Sequence, residues 1–279
     1  VLLVAVGVAV AVLGRVLGDP QGVDLLLDNI HVDGGRDDVA SLRPLIPISL
    51  LCVGVGSPLG PEAPLVTTTG TVASWLAGRR GLPVERRRIV AITGMAAGFT
   101  VLFAAPLGSA LFALEILHRR GLEYHEALLP AAAGALCGTT ISALLTGAGL
   151  EPLWHLPHPL ALRPADLAWA LLAGALGAAA GTVFTTLTVA TRALARRVPA
   201  RVRPVVGGVA LASLAFASPY ALTNGEAQLD HLAAARVAVA TLLVAAVAKL
   251  AASAVAMACG WPGGFIIPLF FVGFCLGRV

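Results

Sequence analysis

Residues 57–65 read SPLGPEAPL and residues 261–269 read WPGGFIIPL. Laid over each other, Pro58 meets Pro262, Gly60 meets Gly264, Pro64 meets Pro268 and Leu65 meets Leu269. One proline-glycine frame thus occurs twice, about two hundred residues apart, inside sequence that otherwise looks lipid-soluble. In each copy a turn precedes a glycine, three residues follow, and a proline then stands near the first helical position, where its missing N–H costs nothing. The residues between glycine and proline offer free backbone N–H groups at a helix N-terminus. Such an end carries roughly half a positive charge and binds anions without needing a basic side chain. Two of these ends, one per half, brought together from opposite sides, predict an electropositive pocket in the membrane interior. The plainer reading is two ordinary proline-led helix starts; it suits either copy alone better than both in matched register.

Composition settles the solvent. The chain is 58% hydrophobic and 12% charged, with a mean hydropathy of +0.89, whereas soluble domains carry about 25% charged residues. The apolar residues also come in long runs, at 1–14, 166–190 and 237–259, each near or beyond the length that spans a bilayer core. A polytopic membrane protein is the class that fits. Cys52, Cys137, Cys259 and Cys275 all lie in apolar segments with no paired CxxC spacing, so they read as small packing residues, with no metal site and no disulfide framework. The chain opens on Val and stops inside an apolar run, GFCLGRV. It reads as a piece of a longer protein, and its opening stretch is not taken for a signal peptide.

The net charge of +4 is informative by position. Arginines concentrate in GRRGLPVERRR (78–88) and TRALARRVPARVRP (191–204). Neither cluster has aromatic interleaving, so nucleic acid is not expected as a partner, and the positive-inside rule reads both as cytoplasmic loops. Four apolar segments lie between them, roughly 89–104, 106–118, 126–147 and 166–190. An even number returns the chain to the same side.

Several apolar stretches are too short or too interrupted to be simple spans. PLIPISLLCVGVG (44–56) runs into the turn at Pro58, and 89–118 is split by AAPLG (104–108). Irregular backbone in hydrocarbon is tolerated only where it is buried in protein or lines an aqueous cavity, and paired broken helices in a transporter point to a binding site at the midplane. Glu62 stands in the first copy of the frame, where its carboxylate can enter the pocket its own helix end creates. An intramembrane carboxylate costs roughly 3 kcal/mol or more on insertion scales and is by default a functional candidate. Beside an anion site it competes with the anion; protonated, it withdraws, acting as gate and proton carrier together. The plainer alternative is a helix-start acid satisfied by the local dipole.

Taken in order, GPEAPLVTTTGTVASWLAG (60–78), ITGMAAGFTVLFAAPLGSALFALEIL (92–117), SPYALTNGEAQLDHL (218–232) and SAVAMACGWPGGFIIPLFFVG (253–273) resemble the CLC family of chloride channels and proton-coupled chloride antiporters. The first is similar to that family's G-[KR]-E-G-P motif and the last to its G-x-F-x-P anion motif. The resemblance implies an all-α polytopic membrane protein, an inverted-repeat bundle with broken and re-entrant helices. It forms a single transmembrane domain over 1–279, with a first half of about 1–150 and an inverted second half of about 165–279. A homodimer with one anion pathway per subunit is implied, with chloride as ligand and no other cofactor. By position, Glu62 corresponds to the gating glutamate, and the amides of Phe265 and Ile266 to the donors that hold the central anion. Ile267 and Ala63 fall where amides contact the outer anion site, and Gly60, Pro64, Gly264 and Pro268 are the motif glycines and prolines. Lys249 sits where a basic residue commonly precedes the second motif; its other reading is a snorkelling or internally paired lysine.

The departures bear on function. Pro61 stands where the family has Lys or Arg, and Ala63 replaces a glycine. At the family's G-S-G-I-P motif the nearest register is Gly18-Asp19-Pro20-Gln21-Gly22, with Asp19 at the serine position. An ionised Asp19 facing chloride repels it, so it points elsewhere, or is protonated, or selectivity has changed. At the inner proton-acceptor position stands Ile116, with Glu115 beside it. The resemblance places the chain's start after the family's first transmembrane helix, and its end before the segment bearing the inner-gate tyrosine.

The expected function is transmembrane movement of a small monovalent anion, most simply chloride. Glu62 is the gate, in a channel or a proton-coupled antiporter of a bacterial plasma membrane. Two alternatives stay open: a non-conducting structural or regulatory relative, and a transporter selective for fluoride or nitrate. No enzymatic constellation competes. Thr67, Thr68 and Thr69 have no partnered base, and His31, His118, His125, His155, His158 and His231 are scattered over loops and span ends. For dimerisation, the candidate surface is 109–146, where Gly134, Ala135, Gly138 and Ser142 let helices approach closely. The same residues serve equally for packing within one subunit.

Overall fold

The computed structural model describes residues 1–20, 39–116, 123–147, 154, 163–235 and 237–279. These form α1 (Leu2–Leu17), α2 (Leu42–Gly54), α3 (Glu62–Arg79), α4 (Val84–Phe103), α5 (Pro106–Ile116) and α6 (Glu123–Thr146). Then follow α7 (Pro164–Ala195), α8 (Arg203–Ala217), α9 (Glu226–Ala234), α10 (Val239–Ala258) and α11 (Ile266–Gly277). Three of them are long and apolar enough to cross a membrane: α6 from Glu126, α7 and α10. The short apolar helices α2 and α11 are the broken elements expected at the proline and glycine punctuation; α1, expected near span length from the run at 1–14, has 16 residues and falls among the shorter helices, as does α8.

The helices gather into two compact units that do not follow chain order. One comprises Asp19–Pro47 and Glu62–Leu153. Its centre is α4, which packs against α3, α5 and α6. Glycine makes that packing close: a Cβ on Gly138 of α6 would lie 2.7 Å from Ala97 O of α4, and one on Gly94 of α4 would lie 2.5 Å from Thr69 O of α3. At such separations backbones touch and dispersion replaces the missing hydrophobic drive. A hydrogen bond of 2.8 Å between Thr100 Oγ1 and Thr139 Oγ1 locks the α4–α6 seam. Of the residues expected to serve either dimerisation or internal packing, Gly134 and Gly138 face α4, and Ala135 is fully buried. The AAPLG break falls as expected: α4 stops at Phe103, Ala104 turns left-handed at φ 50°, and α5 restarts at Pro106. A ring cluster of Phe99, Phe103 and Phe112 fills the corner, with Phe99 and Phe112 edge-on at 4.9 Å.

The other unit comprises Val1–Gly18, Ile48–Pro61 and Trp154–Val279. Helix α10 is its axis, touching α7, α8 and α11, with half of its apolar window buried against 6% for α7. Small residues on α10 (Ala245, Ala248, Ala252, Ala256) let the neighbours close in. On one side the core is built with Leu3, Val6, Ile48, Cys52 and Leu211. On the other it is built with Phe184, Leu242, Phe271 and Cys275. α1 lies on α8, where the backbone at Gly7 meets Pro204 and that at Gly208 meets Leu3.

Candidate anion site

The twin frame is built as a repeat in space as well as in sequence. At the end of α2, Gly56 N–H donates to Val53 O (3.0 Å) and Ser57 N–H to Cys52 O (3.0 Å), with Gly56 at φ 84°. At the end of α10, Gly260 N–H donates to Met257 O (3.4 Å) and Trp261 N–H to Ala256 O (3.0 Å), with Gly260 at φ 79°. Both are Schellman caps, in which a left-handed glycine reverses the chain and satisfies the last carbonyls of the helix. Each residue of the second cap lies 204 positions after its counterpart. The match between Gly56 and Gly260 extends the repeat upstream of the proline-glycine frame, a signal the sequence reading passed over.

Four residues past each left-handed glycine the two copies meet. Gly60 N–H donates to Gly264 O (2.8 Å) and Gly264 N–H to Gly60 O (2.7 Å), an antiparallel bridge between equivalent glycines. A reciprocal pairing of a residue with its own repeat partner is what a local two-fold axis produces. The backbones come this close because Gly263 has no side chain: a Cβ there would strike Leu59 Cβ and lie 3.2 Å from Gly60 O. Two residues after the bridge on each strand a helix begins, α3 at Glu62 and α11 at Ile266.

The prolines fall at the third helical position rather than the first, Pro64 in α3 and Pro268 in α11. The expectation survives the shift, because the first four N–H groups of a helix all lack intrahelical acceptors. In α11 the first backbone bond to close is Leu269 N–H to Phe265 O, at 3.0 Å. Among the described residues no acceptor is recorded for the N–H of Phe265 or Ile266. Phe265 is 41% exposed, and its ring leans on Phe184 of α7, with centroids 5.8 Å apart. That contact orients the residue whose amide opens α11.

Glu62 is the first residue of α3 and is fully buried, while Ala63 and Pro64 are half-buried. Its carboxylate thus sits at the electropositive end of its own helix, which is where an acid is favoured. Asp19 follows α1 and is exposed; its expected motif partners Gln21 and Gly22 lie outside the described residues. Glu115 is exposed in the last turn of α5, and Ile116 ends that helix. Of the histidines, His231 is exposed at the end of α9; His31, His118, His155, His158 and the side chain of His125 lie outside the described residues.

Lys249 resolves between its two readings. It is fully buried, and its ammonium donates to Leu222 O (2.7 Å), Thr223 O (2.8 Å) and Gln228 Oε1 (3.2 Å). It also stands 4.9 Å from the Phe271 ring centroid. This is an internally paired lysine, and it holds the frame: Thr223 N–H in turn donates to Gly56 O at 2.9 Å. One turn along α10, Ser253 Oγ donates to Pro58 O at 3.2 Å. Positions 249 and 253 share a helix face. One face of α10 therefore fastens the loop at 222–223 and the first copy of the frame.

Comparison with known proteins places this architecture. A family profile described as voltage gated chloride channel matches residues 3–279. A chloride/fluoride channel protein of Pseudomonas syringae pv. tomato is 26% identical over 302 residues, covering 99% of this chain and 62% of that protein. The chloride channel protein CLC-e of Arabidopsis thaliana is 30% identical over 258 residues, covering 85% of this chain and 36% of that protein. The crystal structure of a CLC-type fluoride/proton antiporter superposes with a TM-score of 0.82 at 25% identity, over 97% of this chain and 68% of that one. A slow cyanobacterial Cl−/H+ antiporter superposes with a TM-score of 0.76 at 17% identity, over 98% of this chain and 65% of that one. This chain spans 62% and 36% of the lengths of those two curated relatives. From the profile match and the fold together, the chain belongs to the voltage gated chloride channel family, the CLC family.

Proposed function

We propose that this chain carries the anion path of a CLC-type channel or proton-coupled antiporter. The observation that carries the reading is the repeat. Two capped helix ends, 204 residues apart, join through the Gly60–Gly264 bridge, and each leads within two residues into a new helix N-terminus. An anion that sheds water needs donors that cost no proton and no reorganisation. The N–H groups of Phe265 and Ile266 supply them; that Ile267 and Ala63 contact an outer anion is what the family resemblance implies. Glu62 competes for the same kind of donor as a carboxylate, and on taking a proton it loses the charge that competes. That single group therefore gates, and in an antiporter it also carries the proton. The family resemblance supports a homodimer, working in a bacterial plasma membrane.

A second reading concerns the ion. Pro61 removes a basic side chain and one N–H from the start of the path. One relative is named a chloride/fluoride channel, and one solved neighbour a fluoride/proton antiporter. We propose fluoride as the alternative substrate.

The test uses the full-length protein in liposomes, following anion efflux and external pH together. Efflux of chloride with stoichiometric proton uptake, lost in Glu62→Gln, is the result expected of an antiporter. Efflux without proton movement, altered by the same substitution, marks a channel. Repeating the assay with fluoride, nitrate and chloride in competition ranks the ions, and dominance of chloride removes the fluoride reading. No flux of any of the three, or flux indifferent to Glu62→Gln, sinks the transport assignment.

A further inference from the structure

The corner between α7 and α8 holds five arginines in twelve residues: Arg192, Arg196, Arg197, Arg201 and Arg203. No Asp or Glu occurs between Asp166 and Glu226 to balance them. Arg192, Arg196, Arg197 and Arg201 are exposed and have no side-chain partner among the described residues. Only Arg203 is engaged, its Nε donating to Val198 O at 2.9 Å. The positive-inside rule accounts for which side such a loop takes. It does not account for a loop of this rigidity.

The corner is stiff for reasons visible in its bonds. Val198 N–H donates to Ala195 O (3.0 Å) and Val202 N–H to Pro199 O (2.9 Å), two tight turns back to back. Pro204 then stands in the first turn of α8, and its carbonyl accepts from Nε1 of the buried Trp261 at 3.0 Å. The backbone carrying the guanidinium groups is thereby pinned to the core before any ligand arrives, which lowers the ordering cost of binding. Apolar side chains border the same corner: Leu194 is 62% exposed, Val202 44% and Val206 40%. α7 itself is a span-length helix with 6% of its apolar window buried.

We infer that this corner is a docking surface for an anionic phospholipid. Guanidinium groups are shaped to bind phosphate oxygens in pairs, and basic clusters at the end of a membrane helix attract anionic headgroups. The apolar border tells a lipid from a free phosphate, because only a lipid offers acyl chain to Leu194 and Val202 along with its headgroup. The surface does not depend on the transport reading, since binding is measured without flux.

The experiment takes the full chain in neutral detergent and measures its thermal unfolding against short-chain phosphatidylglycerol, short-chain phosphatidylcholine and inorganic phosphate. Native mass spectrometry counts retained lipids in parallel. Three proteins are compared: the wild type, Arg196→Gln/Arg197→Gln/Arg201→Gln, and Arg80→Gln/Arg86→Gln, which removes exposed charge elsewhere. Phosphatidylglycerol is expected to raise the unfolding temperature of the wild type and of the Arg80/Arg86 variant. The corner variant is expected to bind it about a hundredfold more weakly while unfolding, lipid-free, at the wild-type temperature. Equal response to phosphatidylglycerol and phosphatidylcholine overturns the proposal. So does equal loss in the two variants, which would mean diffuse charge, or a full effect from inorganic phosphate alone, which would mean a free-anion site.

Discussion

At the scale of single residues, the frame depends on groups far from it in sequence. Lys249 is an ammonium with neutral oxygens as its only hydrogen-bond acceptors among the described residues, so its desolvation is met by hydrogen bonds and by the Phe271 ring. Lys249→Met keeps the apolar stem and removes the head. Leu222 O, Thr223 O and Gln228 Oε1 are then left without that donor, at about 1–3 kcal/mol for each group that stays dry. Relief of the ammonium's burial offsets part of this, leaving a net loss of about 2 kcal/mol. The expected outcome is a lower unfolding temperature in detergent, with the 222–228 loop gaining amide exchange before the rest of the fold. An unchanged temperature and exchange pattern would show that the lysine does not fasten the loop. Sequence left this residue open between two readings, because burial and partners of a lysine are tertiary facts. Glu62, by contrast, was legible as an acid at a helix start, although the helix begins at Glu62 itself, two residues earlier than the proline suggested. The Schellman glycines were legible too, once the comparison of the two copies is carried to Gly56 and Gly260.

At the scale of elements, the interruptions were easier to read than the faces. The AAPLG break and the short helices around the frame follow from proline and glycine, which act locally. Which side of α6 meets protein does not follow, because a helix bound for lipid is apolar all round and its hydrophobic periodicity is erased. The small residues of α6 therefore served a dimer contact and an internal seam equally well on paper. The structure puts Gly134 and Gly138 against α4. Leu136 and Leu144 of the same helix remain 59% and 81% exposed. Gly138→Leu forces α4 and α6 apart and breaks the Thr100–Thr139 bond, and an overpacked seam of this kind costs about 3 kcal/mol. Leu144→Ala on the other face is expected to change unfolding by no more than about 0.5 kcal/mol. Thermal unfolding of both variants in the same detergent checks the contrast; similar shifts in the two would mean that the faces are assigned wrongly.

At the scale of the whole molecule, the sequence carried the membrane class, the repeat and the family resemblance, but not how the helices group. α1 packs with α8 through Gly7 and Gly208, a contact between segments two hundred residues apart that no local pattern announces. What the sequence does assert about the whole chain is its threading. The arginine clusters at 78–88 and 191–204 both read as loops on the positive side of the membrane, and α4, α5, α6 and α7 lie between them. Of these, α6 and α7 are long and apolar enough to cross a membrane; the sequence reading counts all four segments as crossings, an even number that returns the chain to the side it left. A cysteine placed at Arg80 and one placed at Ala200, both exposed positions, are therefore expected to react with a membrane-impermeant maleimide from the same side of sealed vesicles. The background must lack Cys137, which is exposed, whereas Cys52, Cys259 and Cys275 are buried. Labelling from opposite sides would require an odd number of crossings. The helix to suspect is then α5, whose 11 residues reach only about 16 Å, roughly half of a bilayer core of about 30 Å. That outcome would turn α5 from a crossing into a re-entrant segment and reverse the side assigned to one arginine cluster. Same-side labelling keeps the α7–α8 corner on the face where anionic headgroups and positive loops meet.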